Sequence, residues 1–424
     1  MPTSLETRSR ILDAAVEEVR QHGHSDFRMG HVAEQAGVTT PHLYRHFDSR
    51  ESVIGAAIDA WAAPMLAGQL VRVDKILERT SSPETFWTEL IDIATVRSPK
   101  DDDELRWALG EALVFSWYHP EVQLETIALY RRLTLTSIGR LQEILGTAGG
   151  TATLSGRQIS YFASGVWFGS LIDTLIPDDT RGMQLARRLD RELLDLASKG
   201  PQRAASPDIA PLVMAPVPAD ALQPSADGSS TKERILRAAI EELAVHSAVG
   251  FSLKGVASRA EVGDSVIYRH FRSRSELVAR AGAKVVEEAY RDRLAGAGGL
   301  AAEVSDVNSL IAFGLCIGVD PGDDAINAVR RAAVAAIMAG RGNDDVLAGM
   351  GETARIYITA GGSILSSFAD GGLITDRFDP EGIADVFLRY TWGKTLPDSD
   401  PATALTREEQ LELVAVLFRD LLAP

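Results

Sequence analysis

The chain has 424 residues, room for three or four domains of ordinary size, with one cysteine and a formal net charge of −16. A single cysteine excludes a disulfide framework, and no apolar leader of the secretory kind opens the sequence. The longest charge-free apolar stretch, Gln158–Ile172, is broken by serines and glycines and is too short for a membrane span, so we expect a soluble cytoplasmic protein without membrane association.

The first helix is amphipathic, with Ile11, Leu12, Ala15 and Val19 at helical spacing. A break near Gly23 and an aromatic anchor, Phe27, precede a short helix carrying Val32 and Ala33. A tight turn, Ala36-Gly37-Val38, leads to a second short helix ending in Tyr44-Arg45-His46-Phe47, with Val38 and Leu43 placed to fill the seam. Ser49 suits the cap of the next helix, which runs toward Trp61 and should kink or end at Pro64. Helical patterns follow over Pro83–Thr95, Asp102–Tyr118, Glu121–Leu145, Ser155–Leu175 and Arg181–Ala197. The acidic run Asp101–Glu104 reads as a solvated helix start favoured by the helix dipole.

Lys199–Ser230 holds six prolines and no period, the composition of an extended linker. Helices then recur over Ser273–Leu294, Val307–Ile317, Asp324–Met338, Asp345–Ala369, Pro380–Tyr390 and Thr406–Leu422. Cys316 falls in the apolar run Ile311–Val319 and reads as plain core. No segment reads as a strand, so the fold class is all-α.

The chain repeats itself. Thr7–Val53 and Thr231–Leu277 agree at about 20 of 47 positions without a gap, at an offset of 224 residues. That period is the length of a whole protein rather than of a solenoid unit. The repeated segment, two short helices joined by a tight turn, is a helix-turn-helix pattern whose second helix can enter the DNA major groove. Domain boundaries follow: a helix-turn-helix module at 1–54, a helical effector and dimerisation domain at 55–198, the linker at 199–230, then a second module at 231–278 and a second effector domain at 279–424. Thr7–Ile54 has a net charge of −1 and Thr231–Val278 of +2, so the acidity belongs to the rest of the chain.

Three stretches of the first module together resemble the DNA-binding domain of the tetracycline-repressor (TetR) family: Thr7-Arg8-Ser9-Arg10-Ile11-Leu12, Val32-Ala33 to Val38, and Leu43-Tyr44-Arg45-His46-Phe47 through Glu51. Thr231–Val278 resembles it equally. The resemblance implies that Thr40, Pro41 and His42 face base edges, that Tyr44, His46 and Arg50 contact phosphates, and that Arg45 reaches phosphate or base. In the second copy it assigns Tyr268, Arg269, His270 and Arg274 to the backbone and Asp264 and Ser265, with Val266, to base edges. Lys254 stands there on the first short helix where the first copy has Gly30. Glu261 and Gly263 depart from the family pattern at the turn. Five of the eight histidines lie in the first module. The His42/His46 spacing could suit a metal, but His46 recurs as His270 without such a partner. We therefore expect no metal and no cofactor.

The effector domains carry no phosphate loop, nucleophile elbow or zincin motif, so no enzyme is expected. The first is rich in aromatics; Trp107, Phe115, Trp117, Tyr130 and Trp167 are the candidate lining of a small-molecule site, alongside Trp87, Tyr118 and Phe162. Gly361-Gly362 should let helices of the second approach closely. The resemblance implies a repressor of double-stranded DNA released by an apolar or aromatic effector. Ser155–Ala197 and Asp345–Tyr390 would then pair within one chain as an intramolecular pseudo-dimer on an asymmetric operator, with room for further dimerisation. A second reading stays open: a protein-interaction regulator that keeps the fold with weak or one-sided DNA binding.

Overall fold

The computed structural model describes residues 3–79, 85, 99–147, 154–175, 184–186, 188–189, 191–193, 230–246, 251–314 and 324–422; Trp87, Cys316 and all of the linker but Ser230 lie outside them. Every regular element among these residues is helical. The first half contains α1 (Ser4–His22), α2 (Met29–Gln35), α3 (Thr40–Leu43), α4 (Arg50–Arg79), α5 (Pro99–Tyr118), α6 (Glu125–Thr147) and α7 (Gly156–Gly169). The second contains α8 (Thr231–His246), α9 (Leu253–Ala260), α10 (Asp264–His270), α11 (Arg274–Ala301), α12 (Val307–Gly314), α13 (Asp324–Ala339), α14 (Asp344–Asp370), α15 (Pro380–Gly393) and α16 (Arg407–Val416).

Four pairs of helices begin 224 residues apart: Met29 and Leu253, Thr40 and Asp264, Arg50 and Arg274, Gly156 and Pro380. The duplication thus runs through the effector domains, where the sequences have drifted too far to align by eye. Thr3 caps α1 and Ser155 caps α7, each with a reciprocal capping box, while Ser273 caps α11 and Asp379 caps α15.

Pro64, expected to kink or end α4, does not end it. Buried residues on both sides of it, Ile58 and Trp61 before and Leu66, Leu70 and Val73 after, hold one continuous helix against α1, α5 and α6. The stretch Arg50–Ile76 is long and apolar enough to cross a membrane by length and composition, but more than half of it is buried inside the protein. Apolarity here serves a core.

Each module has its own small core. Ile11, Ala15, Val19, Phe27, Val32, Leu43 and Phe47 close the first, and Ile235, Ala239, Phe251, Val256, Ile267 and Phe271 the second. The two larger cores are shared between halves. One joins Leu141, Ile159 and Phe162 to Leu365, Phe387 and Tyr390; the other joins Leu105, Leu109 and Tyr130 to Tyr290, Val334 and Trp392.

The joint between the halves is the crossing of α7 with its own equivalent, α15. Gly169 and Gly393, again 224 residues apart, sit where the two backbones touch. A Cβ on Gly169 would lie 1.8 Å from the Arg389 carbonyl oxygen, and one on Gly393 would lie 1.7 Å from that of Gly165. Gly165 and Arg389 are equivalents too, so the contact is made twice around a pseudo-two-fold axis. Polar ties flank it: the Tyr161 hydroxyl donates to Asp398 at 2.6 Å, and Gln158 Nε2 donates to the Glu409 carbonyl at 2.9 Å. Among the described residues of 184–193, Arg188 donates to the Arg377 carbonyl at 3.1 Å. Within the expected partner range Asp345–Tyr390, α15 makes the crossing; α14 packs behind it, with Gly362 against Glu381, and reaches the first half where Gly351 meets Leu175.

Candidate DNA interface

In both modules the recognition helix is pinned by one buried residue, Leu43 or Ile267, and exposes its neighbours. Tyr44 and Tyr268 are 45% and 55% exposed, so their rings are not packing the turn. Arg45, Arg269, His270, Lys254, Asp264 and Ser265 are also exposed, as is Pro41; Thr40, His42 and His46 are half-buried. The His42 and His46 rings stand 5.3 Å apart on one side of the first reader. Val266 leans on its module's core.

The two readers differ in build. In the first, the Thr39 side chain accepts from the His42 N–H at 3.4 Å, the helix ends at Leu43, and Tyr44 to His46 form a turn. In the second, α10 continues through His270 but begins at Gly263 with no side-chain cap. Gly37 takes φ 64° at the first turn, and Glu261 takes φ 55° at the equivalent place, the left-handed region that favours glycine. Glu261 is the only non-glycine residue with positive φ among those described.

Arg50 and Arg274, expected to grip phosphate, each make contacts inside their own module. Arg50 Nη2 donates to the carbonyls of His24 and Phe27, both at 3.2 Å, and its guanidinium lies over the Phe27 ring. Arg274 repeats the arrangement, donating to the Phe251 carbonyl at 3.3 Å and covering the Phe251 ring. Burial pulls the Arg274 guanidinium below its ordinary range. Each arginine ties the start of the module's fourth helix to the loop before its second.

A second shared device was missed in the sequence. Glu18 and Glu242, equivalent and buried, accept the backbone N–H ten residues on, from Arg28 at 3.1 Å and Ser252 at 3.3 Å. Their presence at aligned positions was the available signal. Glu242 also receives Arg259 Nε at 3.0 Å. Glu18 faces His31 and His22 instead, at 3.3 and 3.9 Å.

The first module is locked to its effector domain. His24 Nδ1 and the Glu111 carboxylate of α5 are 2.5 Å apart, both buried, and the His24 N–H donates to the same oxygen at 3.1 Å. The modules also meet each other, through Ser273 Oγ donating to Asp26 at 2.9 Å.

The expected effector residues separate. Phe115 is fully buried in the first module's core beside Ala108, Ala112 and Leu124. Trp107 carries the guanidinium of Arg341, from the other half, over its ring at 4.9 Å. Trp117, Tyr130 and Trp167 belong to the shared core, where the Tyr130 hydroxyl lies against Thr134 and Ser164 and the Trp167 indole nitrogen is buried without a hydrogen-bond partner among the described residues. Burial pushes the Tyr130 hydroxyl up to about 12. A cavity of about 30 Å³ lies elsewhere, in the second half, lined by Arg293, Phe313, Tyr357, Ile364, Leu365 and Phe387. It would hold a water molecule or two, well short of the roughly 300 Å³ of a small-molecule pocket.

The family model described as bacterial regulatory proteins, tetR family, matches residues 11–57 and again 235–281. The chain carries the N-terminal domain of TetR-family regulators twice. Each match runs from within the first helix of its module through the second and third into the fourth. No curated protein matches the chain. A DNA-binding transcriptional regulator is the function these domains carry.

Proposed function

We propose that this chain acts alone as a pseudo-dimeric repressor in the cytoplasm, reading an asymmetric operator and released by a small apolar or aromatic effector. The observation that carries the reading is the crossing of α7 with α15 at Gly169 and Gly393, which joins equivalent helices as a dimer interface would. Two unlike readers then serve successive major grooves, roughly 34 Å apart. Thr40, Pro41 and His42 face one half-site; Asp264 and Ser265 face the other. Tyr44, Arg45, His46, Tyr268, Arg269, His270 and Lys254 supply contacts to the backbone. Arg50 and Arg274 brace the modules through Nη2, which already serves carbonyls, and keep their charge for phosphate.

The partnerless indole nitrogen of Trp167 supports an effector site in the shared core, to which Tyr130 and Trp117 also belong. Movement of α5 there would reach the first module through His24 and Glu111. The test is selection of bound DNA from a random pool, followed by footprinting and light scattering. One chain of 45.7 kDa should protect two half-sites of unlike sequence. A perfect palindrome bound by one chain would refute the asymmetric reading. A single protected half-site would favour the one-sided reading, which the exposed carboxylates Glu261 and Asp264 support.

A further inference from the structure

We propose that Glu18, His22 and His31 form a divalent transition-metal site of the zinc type in the first module, with no counterpart in the second. One ligand atom from each residue lies within 4.8 Å of the other two. Zinc bonds of about 2.1 Å in tetrahedral geometry place donors about 3.4 Å apart. His31 Nδ1 already stands 3.3 Å from Glu18 Oε1, and His22 Nε2 stands 3.9 Å from Glu18 Oε2. The carboxylate is the fixed member, buried and oriented by the Arg28 N–H, as an outer hydrogen bond orients a metal ligand. Both histidine side chains are about half exposed, so small rotations close the remaining gap and leave a fourth position to water.

The duplication supplies an independent argument, because it shows what this buried carboxylate is built to receive. A buried anion needs a cation or strong donors beside it. In the second module that cation is the Arg259 guanidinium, 3.0 Å from Glu242. The first module has Gln35 at the matching position and presents two imidazoles instead. Conversely, the second keeps His246 but has Gly255 where the first has His31, and a Cβ there would sit 2.3 Å from Glu242 Oε1. One copy carries its own cation, whereas the other carries ligands for one. His22 also ends α1, where the helix dipole favours positive charge. A bound ion would clamp the end of α1 to α2, the helix that holds the first reader. This inference does not depend on how DNA is read.

The test uses the full chain freed of metal by a chelator. Zn2+ is titrated in competition with a chromophoric chelator, and Co2+ is followed by its visible ligand-field bands. We expect one equivalent per chain, lost in His31→Ala and in Gln35→Arg, which seats an arginine against Glu18 as the second copy does. The equivalent should persist in His42→Gln, with circular dichroism verifying that each variant is folded. Absence of binding, or an equivalent that survives both His31→Ala and Gln35→Arg, would overturn the proposal. Loss in His42→Gln would overturn it in favour of the His42/His46 pair.

Discussion

Replacing Gly169 by Ala tests the joint on which the one-chain arrangement depends. The new methyl would lie 1.8 Å from the Arg389 oxygen and 2.5 Å from its carbonyl carbon, against ordinary contacts of 3.4–4 Å. Backbone atoms cannot swing aside, so α7 and α15 must separate by about 1.5 Å. Overpacking of this kind costs about 1–3 kcal/mol and sometimes more, whereas the better helix propensity of alanine returns about 1 kcal/mol at most. Overpacking should win, with a net loss of about 1–2 kcal/mol. Gly393→Ala should do the same, and the double variant should cost less than the sum because one separation accommodates both methyls. Gly298→Ala is the control: it is exposed in α11, with nothing within 4 Å of the added carbon, and should stabilise slightly. Urea unfolding gives the midpoints, and light scattering shows whether loosened halves re-pair between chains. Gly169→Ala and Gly393→Ala unfolding at the parent midpoint, with Gly298→Ala showing its small gain, would refute the assignment of this crossing as the joint.

Arg50→Ala should destabilise the first module by about 1–2 kcal/mol, since it removes two charge-assisted bonds to carbonyls from a partly exposed side chain. Unchanged module stability by hydrogen exchange, together with weaker DNA binding and a flatter salt slope, would assign Arg50 to the phosphates alone. Glu261→Gly should relieve a left-handed residue worth about 1 kcal/mol and strengthen DNA binding, most at low salt; equal affinity for all DNA would show that the second module does not touch it.

The helical class, the duplication and the exposed faces of both readers were legible because short-range pattern carries them: apolar period, turn residues, and Tyr-Arg-His-Phe written twice. Long-range commitments were not. Nothing near Arg50 in sequence says that its donors meet carbonyls 23 and 26 residues earlier. Phe115 and Tyr130 are alike as sequence, yet one closes a module core and the other sits in the core shared between halves. Pro64 misled for a related reason. A local breaker signal lost to tertiary packing on both sides of it. Glu18 was hidden among ordinary helix glutamates, and only its burial separates it from Glu17.

Fusion of the halves also changes what the interface can be. In a homodimer every substitution appears on both sides of the axis, so large residues near it meet copies of themselves. Here Arg389 has Gly165 as its equivalent, and Asp385 has Tyr161. Arg389 and Asp385 form a buried pair, with Nε 2.9 Å from Oδ1 and Nη2 3.1 Å from Oδ2. On the other helix, Gly165 leaves room for Tyr390 and the Lys394 backbone. A pairing of two first halves would set Val166 and Ser170 where Tyr390 and Lys394 now face Gly165 and leave part of that space empty; a pairing of two second halves would bring two arginines and two aspartates to the same crossing. Each like pairing is worse than the unlike one, by a void in one case and by crowded buried charge in the other. Specificity is a difference between such alternatives. With the unlike partner tethered in the same chain, association is also favoured by its effective concentration. The small residues Gly169 and Gly393 keep the symmetric close approach, while the residues around them have diverged to make first-to-second pairing the stable outcome.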